Sequence, residues 1–438
     1  MSELLILIED TLAGSVHADT NGRLSLNYEE AWRASPQGYS LSVSMPLANV
    51  TYRQKTVSPY LWNLLPENPY VLQRWAQQYH VSAGTPFKLL AHVGADVPGA
   101  AQFIPPEWLA EIQAEQHPTI EWISIEQLRE RLCQLRDDIS AVRRPGDIGK
   151  MSLPGAQAKT AFYRHPQTGR WGVPGGRTPT THIIKPCIPG FDGLVENEHL
   201  CQDIAARLGI PAARSFVLML DQPYIVVERY DRLPPAPGTE FPRRIHQEDV
   251  CQALGLMPTR KYQEDGGPGI SQITTLIRRV SADPEVDVAR FLKANMFNWL
   301  IGGTDAHAKN YSFLIDAGDA IRLAPLYDLS SQLPYPDLIT QRVSMKIGDH
   351  YDIARVSLTD WQNLARNCAL NEEQVISMLT QMARALPDLV SAAHIQARTD
   401  GLSQKVIGDL AERLIAHAGE RLAALTARRS SGAVRRKD

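Results

Sequence analysis

The sequence predicts an α+β protein in which strand-rich segments precede a long, mostly helical segment. Up to about residue 230, short apolar runs lie between turn signals such as Asn21-Gly22, which is the pattern of β-strands. From residue 246 to about 427, apolar residues recur with the period of an α-helix. The 438 residues of the chain are enough for two or three domains.

The first segment, residues 1–110, is predicted to be a small strand-and-helix subdomain. Strands are expected at 4–8, 23–28 and 39–44. Helices are expected between about 55 and 95, where Leu61, Leu65 and Trp75 are among the apolar residues at near-helical spacing. The pair Pro105-Pro106 marks the end of this subdomain.

Two larger segments and a tail follow. Residues 111–230 contain a strand-then-helix pattern at 122–135, further strands at 160–163, 181–185, 214–220 and 224–227, and a helix at 194–208. Residues 231–427 begin with a Pro-rich loop and include an apolar helix at 290–301. Residues 428–438 are basic and are expected to be flexible.

Composition excludes several classes of protein. The net charge of −3 predicts no general affinity for nucleic acids or membranes, although a local patch can still bind DNA. Five cysteines without CxxC spacing argue against disulfide frameworks and structural zinc. Without a signal peptide or a run of roughly 18 apolar residues, the protein is expected to be cytoplasmic and not associated with a membrane.

The segment 302–328 indicates phosphoryl transfer. Asp305 and Asn310 are five residues apart in a polar loop that follows the apolar helix, and Asp328 lies about one hairpin later. Transfer from ATP needs a carboxylate to deprotonate a hydroxyl, and amide and carboxylate oxygens to hold Mg²⁺. We assign Asp305 as the catalytic base and Asn310 and Asp328 as Mg²⁺ ligands. An isolated Asp in this context would more commonly cap a turn.

Two further residues lie inside this loop. Lys309 is predicted to reach the γ-phosphate, with a solvated lysine as the alternative. His307 is expected to contact the nucleotide through packing or hydrogen bonding and not to act as a base.

Lys185 ends an apolar strand and is predicted to direct its charge towards the ATP phosphates. The alternative is a solvent-facing lysine at a strand end. Glu196 and Glu198 open the next helix, and Glu198 is the predicted partner of Lys185, although the helix dipole also favours acidic residues there. These features predict a bilobal, protein-kinase-like fold: a β-rich N-lobe at 111–230 and a mainly α-helical C-lobe at 231–427.

Two loops complete the predicted ATP site. Small residues around Gly155 allow backbone N–H groups to approach phosphates. The predicted contacts in this loop are Gly155, Ala156, Gln157 and Lys159. Ser152 is an exposed-type hydroxyl at its edge. The backbone at the end of the strand at 224–227 is expected to form the adenine hinge, with Tyr230 against the ring; the alternative is an ordinary strand end with Arg-Asp pairs on its surface.

In these motifs the chain resembles the HipA family of bacterial toxin serine/threonine kinases over nearly its whole length. The resemblance is carried by Ser152 with 155–160 (Gly-Ala-Gln-Ala-Lys-Thr), 182–186 (His-Ile-Ile-Lys-Pro), 196–198 (Glu-Asn-Glu), 227–232 (Val-Glu-Arg-Tyr-Asp-Arg), 304–310 (Thr-Asp-Ala-His-Ala-Lys-Asn) and 325–328 (Pro-Leu-Tyr-Asp). The sequence departs from the family pattern at Ala158, where glutamate is frequent, and in having Leu-Ser after Asp328.

The resemblance implies a function. Family members are toxins that a HipB-like helix-turn-helix antitoxin neutralises, and the pair binds operator DNA. The implied reaction is phosphorylation of a serine in an aminoacyl-tRNA synthetase, best known for glutamyl-tRNA synthetase, which arrests growth and produces persistence. The resemblance also implies the roles assigned above to Lys185, Asp305 and the metal ligands. It implies that Glu228 and Tyr230 form the adenine hinge and that Ser152 is an autophosphorylation site.

Two alternatives stay open. A small-molecule kinase would use the same chemistry, since distant kinase-fold enzymes share the Asp-x4-Asn interval. A non-catalytic co-repressor would act only with its antitoxin at operator DNA. The presence of Asp305, Asn310, Asp328 and Lys185 argues against the second alternative.

Overall fold

A computed structural model describes residues 2–336 and 341–426. Its mixture of helices (42%) and strands (22%) confirms the predicted α+β class. The predicted basic tail at 428–438 lies outside the described residues. No helix in the described ranges is long and apolar enough to cross a bilayer.

The N-terminal subdomain is a five-stranded antiparallel sheet covered by helices. Its strands are β1 (Ser2–Ile8), β2 (Thr11–Ala18), β3 (Leu24–Tyr28), β4 (Thr51–Arg53) and β5 (Ala101–Ile104), in the order β4-β3-β2-β1-β5. Its helices are α1 (Glu30–Ala34), α2 (Gln54–Trp62), α3 (Pro69–Tyr79) and α4 (Pro86–Val93). Val16 pairs with Leu4 on one side and Leu26 on the other, and all three are buried. This alignment places an apolar row in the core.

The strand prediction at 39–44 is wrong. In this segment the backbone N–H of Leu41 donates to Tyr28 Oη at 2.8 Å, and that of Val43 donates to Glu248 Oε1 at 2.7 Å. Side chains from distant elements therefore take the hydrogen bonds that a sheet ladder would have provided. The pattern also missed β2, whose Gly14 allows close backbone contact: an added Cβ would lie 2.4 Å from the Asn27 carbonyl oxygen.

The second part of the chain forms a six-stranded antiparallel sheet with the order β10-β11-β9-β7-β8-β6. After the short helix α5 (Leu109–Ala114), its elements are β6 (Thr119–Ile123), α6 (Ile125–Asp137), β7 (Thr160–Arg164), β8 (Trp171–Gly175), β9 (His182–Pro186), α7 (Leu194–Arg207), β10 (Ser215–Met219) and β11 (Pro223–Glu228). Lys185 on β9 pairs with Ile225 on β11. This register fixes the position of the lysine in the middle of the sheet.

The third part is mainly helical. Its strands are β12 (Arg232–Leu233), β13 (Arg243–Arg244), β14 (His246–Asp249), β15 (Ser312–Asp316), β16 (Ala320–Leu323), β17 (Arg342–Ile347) and β18 (His350–Asp352). Its helices are α8 (Val250–Ala253), α9 (Ile270–Val280), α10 (Pro284–Ile301), α11 (Leu358–Asn367), α12 (Glu372–Thr399) and α13 (Gln404–Thr426). Helix α10 carries the fully buried Phe291, Phe297 and Trp299, so the loop that follows it starts from a rigid support.

Candidate active site

The loop after α10 is held by its own backbone. Gly302 ends the helix in the left-handed region at φ +66°, and the Gly303 N–H returns to the Asn298 carbonyl at 2.7 Å. The Asn310 side-chain amide donates to the Asp305 carbonyl at 2.9 Å. Asp305 and Asn310 are thereby fixed to a single turn, and the amide oxygen of Asn310 is left to accept a ligand.

Asp305 has a partner that the sequence analysis missed. The hydroxyl of Tyr262 donates to Asp305 Oδ1 at 2.8 Å. Desolvation by the surrounding loops raises the pKa of Asp305, while this hydrogen bond and the charge of Lys261 oppose the shift. Tyr262 precedes Asp305 by 43 residues. No local pattern could therefore connect the two residues.

Lys185 lies at the centre of an ionic group. Its Nζ is 2.8 Å from Glu198 Oε1 and also donates to Asp328 Oδ1. Burial disfavours the ammonium, but the two carboxylates outweigh it and raise the pKa of Lys185. Asp328 lies at φ +52°, a left-handed conformation that Asp tolerates better than most residues. Glu196 makes no ion pair with Lys185.

The two inner loop residues are both buried, and the contact of Lys309 with the γ-phosphate stays a prediction. Lys309 is buried, and its Nζ lies 2.6 Å from both Asn63 Oδ1 and Asp249 Oδ2, so a solvated lysine is excluded. His307 is also buried and packs edge-on against Tyr262 with 5.0 Å between ring centroids. Burial lowers the pKa of His307 to about 3, in agreement with a packing residue and not a base.

The predicted phosphate loop contacts the N-terminal subdomain. The Gly155 carbonyl accepts from the Glu67 N–H at 3.0 Å. Lys159 Nζ donates to the Pro154 carbonyl at 2.8 Å, and burial lowers the pKa of this lysine to about 8. Gly155 has φ +106°, and an added Cβ would lie 2.4 Å from Lys159 Nζ. The loop is therefore a tight cradle in which glycine is required.

The expectation of an exposed Ser152 is wrong. This residue is 1% exposed, and its hydroxyl donates to the Leu64 carbonyl at 2.7 Å. Its N–H also donates to the Asp96 carbonyl at 2.9 Å. The subdomain that covers Ser152 lies far away in the sequence, so the polarity of the local segment gave no indication of this burial.

At the predicted hinge, the Arg-Asp pair is buried and does not lie on the surface as the alternative required. Arg229 and Asp231 are buried and form an ion pair with 2.9 Å between Nη2 and Oδ2. The Tyr230 hydroxyl donates to Gln247, and the Tyr230 ring lies 5.8 Å from that of Tyr327. Glu228 is exposed at the end of β11, where its N–H donates to the Arg214 carbonyl at 2.8 Å. The Arg-Asp pair therefore fixes the hinge from within the protein.

One cavity of about 520 Å³ unites the predicted residues. Every predicted site residue except Ser152 lines it: Gly155, Ala156, Gln157, Lys159, Lys185, Glu198, Glu228, Tyr230, Asp305, His307, Lys309, Asn310 and Asp328. This volume lies within the range of small-molecule sites, which is roughly 300–1,000 Å³. These residues come from the second and third parts of the chain, and Asn63, Glu67 and Pro98 of the N-terminal subdomain also line the cavity.

The donors in the cavity fit a nucleotide and its metal. The Gly155 cradle and the ammonium groups of Lys159 and Lys185 suit phosphate oxygens. The carboxylate of Asp328 and the amide oxygen of Asn310 are hard oxygen donors, which Mg²⁺ prefers. Burial would protonate Asp328, but Lys185 and Lys159 outweigh it and lower its pKa, so this donor is ionised.

Two family models match the chain. The model of the HipA N-terminal domain matches residues 4–104, and that of the HipA-like C-terminal domain matches residues 151–390. The second match alone spans more than half of the sequence. The chain belongs to the HipA family. The resemblance inferred from its motifs is therefore confirmed.

Relatives of this HipA-family chain are named as kinases. It is 34% identical over 410 residues to a Sinorhizobium fredii protein named as a kinase, Y4mE, covering 91% of this chain and 95% of that protein. It is 30% identical over 399 residues to the serine/threonine-protein kinase toxin HipA of Shewanella oneidensis, covering 87% of each. These relatives support kinase activity in general.

A solved structure supports the HipA fold. The structure of the Shewanella oneidensis complex of HipA, HipB and operator DNA contains a chain that matches with a TM-score of 0.82 and 26% identity. The match covers 96% of this chain and 98% of that one. The predicted bilobal, protein-kinase-like architecture is thereby confirmed.

Proposed function

We propose that this chain is an ATP- and Mg²⁺-dependent serine/threonine protein kinase that acts as the toxin of a toxin–antitoxin pair. The observation that carries the proposal is the convergence of Asp305, Asp328 and the Lys185–Glu198 pair on one cavity. These groups supply a base, a metal ligand and a positioned phosphate-binding charge. Family membership supplies the connection with toxins.

The mechanism assigns one task to each side chain. Lys185, oriented by Glu198, binds phosphate oxygens, while the backbone around Gly155 encloses the triphosphate. Asp305 accepts the proton of the serine hydroxyl and orients its oxygen towards the γ-phosphorus. Mg²⁺, held by Asn310 and Asp328, would neutralise charge on the β- and γ-phosphates. Tyr262 keeps the carboxylate of Asp305 in one orientation.

We assign autophosphorylation to Ser152. Because its hydroxyl is buried against the Leu64 carbonyl, the segment must leave the N-terminal subdomain before this oxygen can accept a phosphate. The added charge could not return to the same buried position without a large desolvation cost. Modification of Ser152 would therefore keep the phosphate loop away from ATP and stop the kinase.

The proposed partners follow from the relatives. A HipB-like helix-turn-helix antitoxin would neutralise the toxin and recruit it to operator DNA; support comes from the named components of the Shewanella oneidensis complex. The proposed substrate is an aminoacyl-tRNA synthetase, with glutamyl-tRNA synthetase as the first candidate. Its phosphorylation would block charging and cause growth arrest.

A phosphoproteomic experiment tests this function. Wild type and Asp305→Ala are expressed briefly in bacteria, and phosphosites and growth are compared. We expect wild type alone to arrest growth and to phosphorylate a serine of a synthetase. Phosphate on a metabolite but on no protein would establish the small-molecule alternative. Equal growth effects of the two proteins, without new phosphosites, would establish the non-catalytic alternative.

A further inference from the structure

A second cavity, here called the rear cavity, adjoins the phosphate loop. It has a volume of about 620 Å³ and is lined by 147–151, by the segment that carries Trp108 and Ile112, and by residues of β7 and β8. The residues immediately after 151, from Leu153 to Gln157, line the ATP cavity instead. One stretch of chain therefore borders both cavities.

The walls of the rear cavity are mostly apolar. Ile112, Met151, Phe162 and Val173 line it together with the indole of Trp108. A volume of this size with a few polar groups is typical of sites for small organic molecules. The apolar walls therefore suit a ligand that has an apolar body.

Two cations in this cavity have no carboxylate partner. Lys150 Nζ lies 3.0 Å from the centroid of the Trp108 ring. The Arg143 guanidinium donates to two neutral oxygens, Tyr79 Oη at 3.2 Å and the Asp147 carbonyl at 3.3 Å. Among the described residues, no carboxylate lies within 4.0 Å of either cation. Burial lowers the pKa of Lys150, Glu111 opposes this shift, and Arg143 adds to it.

Two of the four acidic residues that line the cavity, Asp147 and Asp96, form ion pairs with arginines. Asp147 pairs with Arg131 at 2.9 Å. Glu115 accepts from the Arg177 N–H at 2.7 Å, and Asp96 pairs with Arg244 at 2.6 Å. Glu111 is exposed at the rim. Among the described residues, Glu111 and Glu115 have no cationic partner, but neither lies within 4.0 Å of Lys150 or Arg143, so both cations stay open to an anionic ligand.

We propose that the rear cavity binds a small organic anion, whose phosphate or carboxylate group meets Lys150 and Arg143 and whose apolar body lies along Trp108. Binding would act on the phosphate loop through the backbone: the Lys150 carbonyl accepts from the Asp96 N–H at 3.1 Å, next to the bond between Ser152 and the Asp96 carbonyl. This inference concerns a separate site and does not depend on the proposed kinase function.

The test uses the fluorescent anion 8-anilinonaphthalene-1-sulfonate, with a non-hydrolysable ATP analogue in excess to fill the ATP cavity. Arg143→Gln/Lys150→Gln is compared with Lys88→Gln/Arg129→Gln, which removes an equal charge from exposed positions. We expect the first variant to bind the probe at least about tenfold more weakly, because charge-assisted contacts are the strong ones. The control should bind like wild type. Equal affinities for all three proteins would overturn the proposal.

Competition identifies the anionic group. Displacement of the probe by phenyl phosphate or by phenylacetate, and not by neutral 2-phenylethanol, supports the proposal and separates phosphate from carboxylate ligands. Displacement by the alcohol alone overturns it, since the cations would then be irrelevant. Circular dichroism checks that each variant is folded. If the double variant is not, Lys150→Gln alone replaces it, because Arg143 then keeps its contact with Tyr79.

Discussion

The hydroxyl of Tyr262 lies 2.8 Å from Oδ1 of Asp305, outside the set of residues that line the ATP cavity. Asp305 itself lines that cavity. The tyrosine therefore contacts one carboxylate oxygen of the proposed catalytic base and leaves the second for a substrate hydroxyl. The segment containing Tyr262 is compact, since the Gly267 N–H returns to the Tyr262 carbonyl at 2.9 Å.

Tyr262→Phe should lower kcat and leave the KM for ATP unchanged. A hydrogen bond to a charged group contributes about 1.5–3 kcal/mol, so we expect a loss of roughly tenfold or more. Single-turnover kinetics of Tyr262→Phe, Asp305→Asn and the double variant test whether the effect passes through Asp305. In a protein that already carries Asp305→Asn, Tyr262→Phe should lower kcat little further. If the two substitutions lowered kcat additively, the assignment of Tyr262 to Asp305 would be contradicted. The control is Tyr70→Phe, because Tyr70 is 66% exposed.

Glu198→Ala should reduce kcat/KM by roughly 100-fold, since Lys185 would lose the partner that directs it to the phosphates. Phosphorylation of the identified substrate is the measurement. Glu196→Ala is a matched control because this residue, two positions earlier and also buried, does not contact Lys185. If both substitutions reduced activity equally, a general effect on α7 would explain the result and the specific pairing would not.

Gly155→Ala should weaken ATP binding. The residue has φ +106°, a backbone conformation that residues with a side chain rarely adopt, so alanine would strain the loop at a cost of about 1–3 kcal/mol. Nucleotide titration measures the change in Kd. The control is Gly238→Ala, which has φ +85° but open space around the added Cβ. Equal ATP affinity for Gly155→Ala and wild type would show that the cradle is not needed.

Asp96→Asn should destabilise the protein by about 3–5 kcal/mol, since Arg244 would lose its carboxylate partner and Asp231 alone would balance the buried Arg229 and Arg232. Asp96 Oδ1 lies 2.8 Å from Arg232 and 2.6 Å from Arg244. Urea unfolding at neutral pH measures the loss in the free energy of unfolding. Asp203→Asn, which breaks a half-exposed pair with Arg207, should change that free energy by less than about 1 kcal/mol.

The carboxylate of Asp96 also makes the free energy of unfolding depend on pH. Burial would raise the pKa of Asp96, but Arg229, Arg244 and Arg232 outweigh burial and hold it well below its ordinary 3.8. In the unfolded chain the Asp96 carboxylate therefore binds a proton more readily than in the folded protein. The stability that it contributes is complete above the ordinary pKa of 3.8 and is lost as the pH falls towards the pKa of the folded protein. Wild type should lose stability on acidification more steeply than Asp96→Asn. Parallel slopes for the two proteins would contradict this.

Predictions from the sequence were best where they depended on local spacing or on a single element. The interval between Asp305 and Asn310 and the strand-end position of Lys185 singled out three residues, and all three line the cavity. They failed where distant parts of the chain supply the partner. Residues 39–44 do not form a strand because Tyr28 and Glu248 accept hydrogen bonds from their backbone N–H groups. Ser152 is buried because its hydroxyl donates to the carbonyl of Leu64.

The sequence by itself determined the α+β class through its periodicity, and its motifs carried the resemblance to the HipA family and the prediction of an ATP site, because both are local properties of the chain. Only the tertiary structure decided that Tyr262 contacts Asp305, that Ser152 is buried and that a second cavity adjoins the predicted phosphate loop. Each of these depends on segments tens of residues apart. Their contacts are set by how the three parts of the chain pack, which spacing along one segment does not specify.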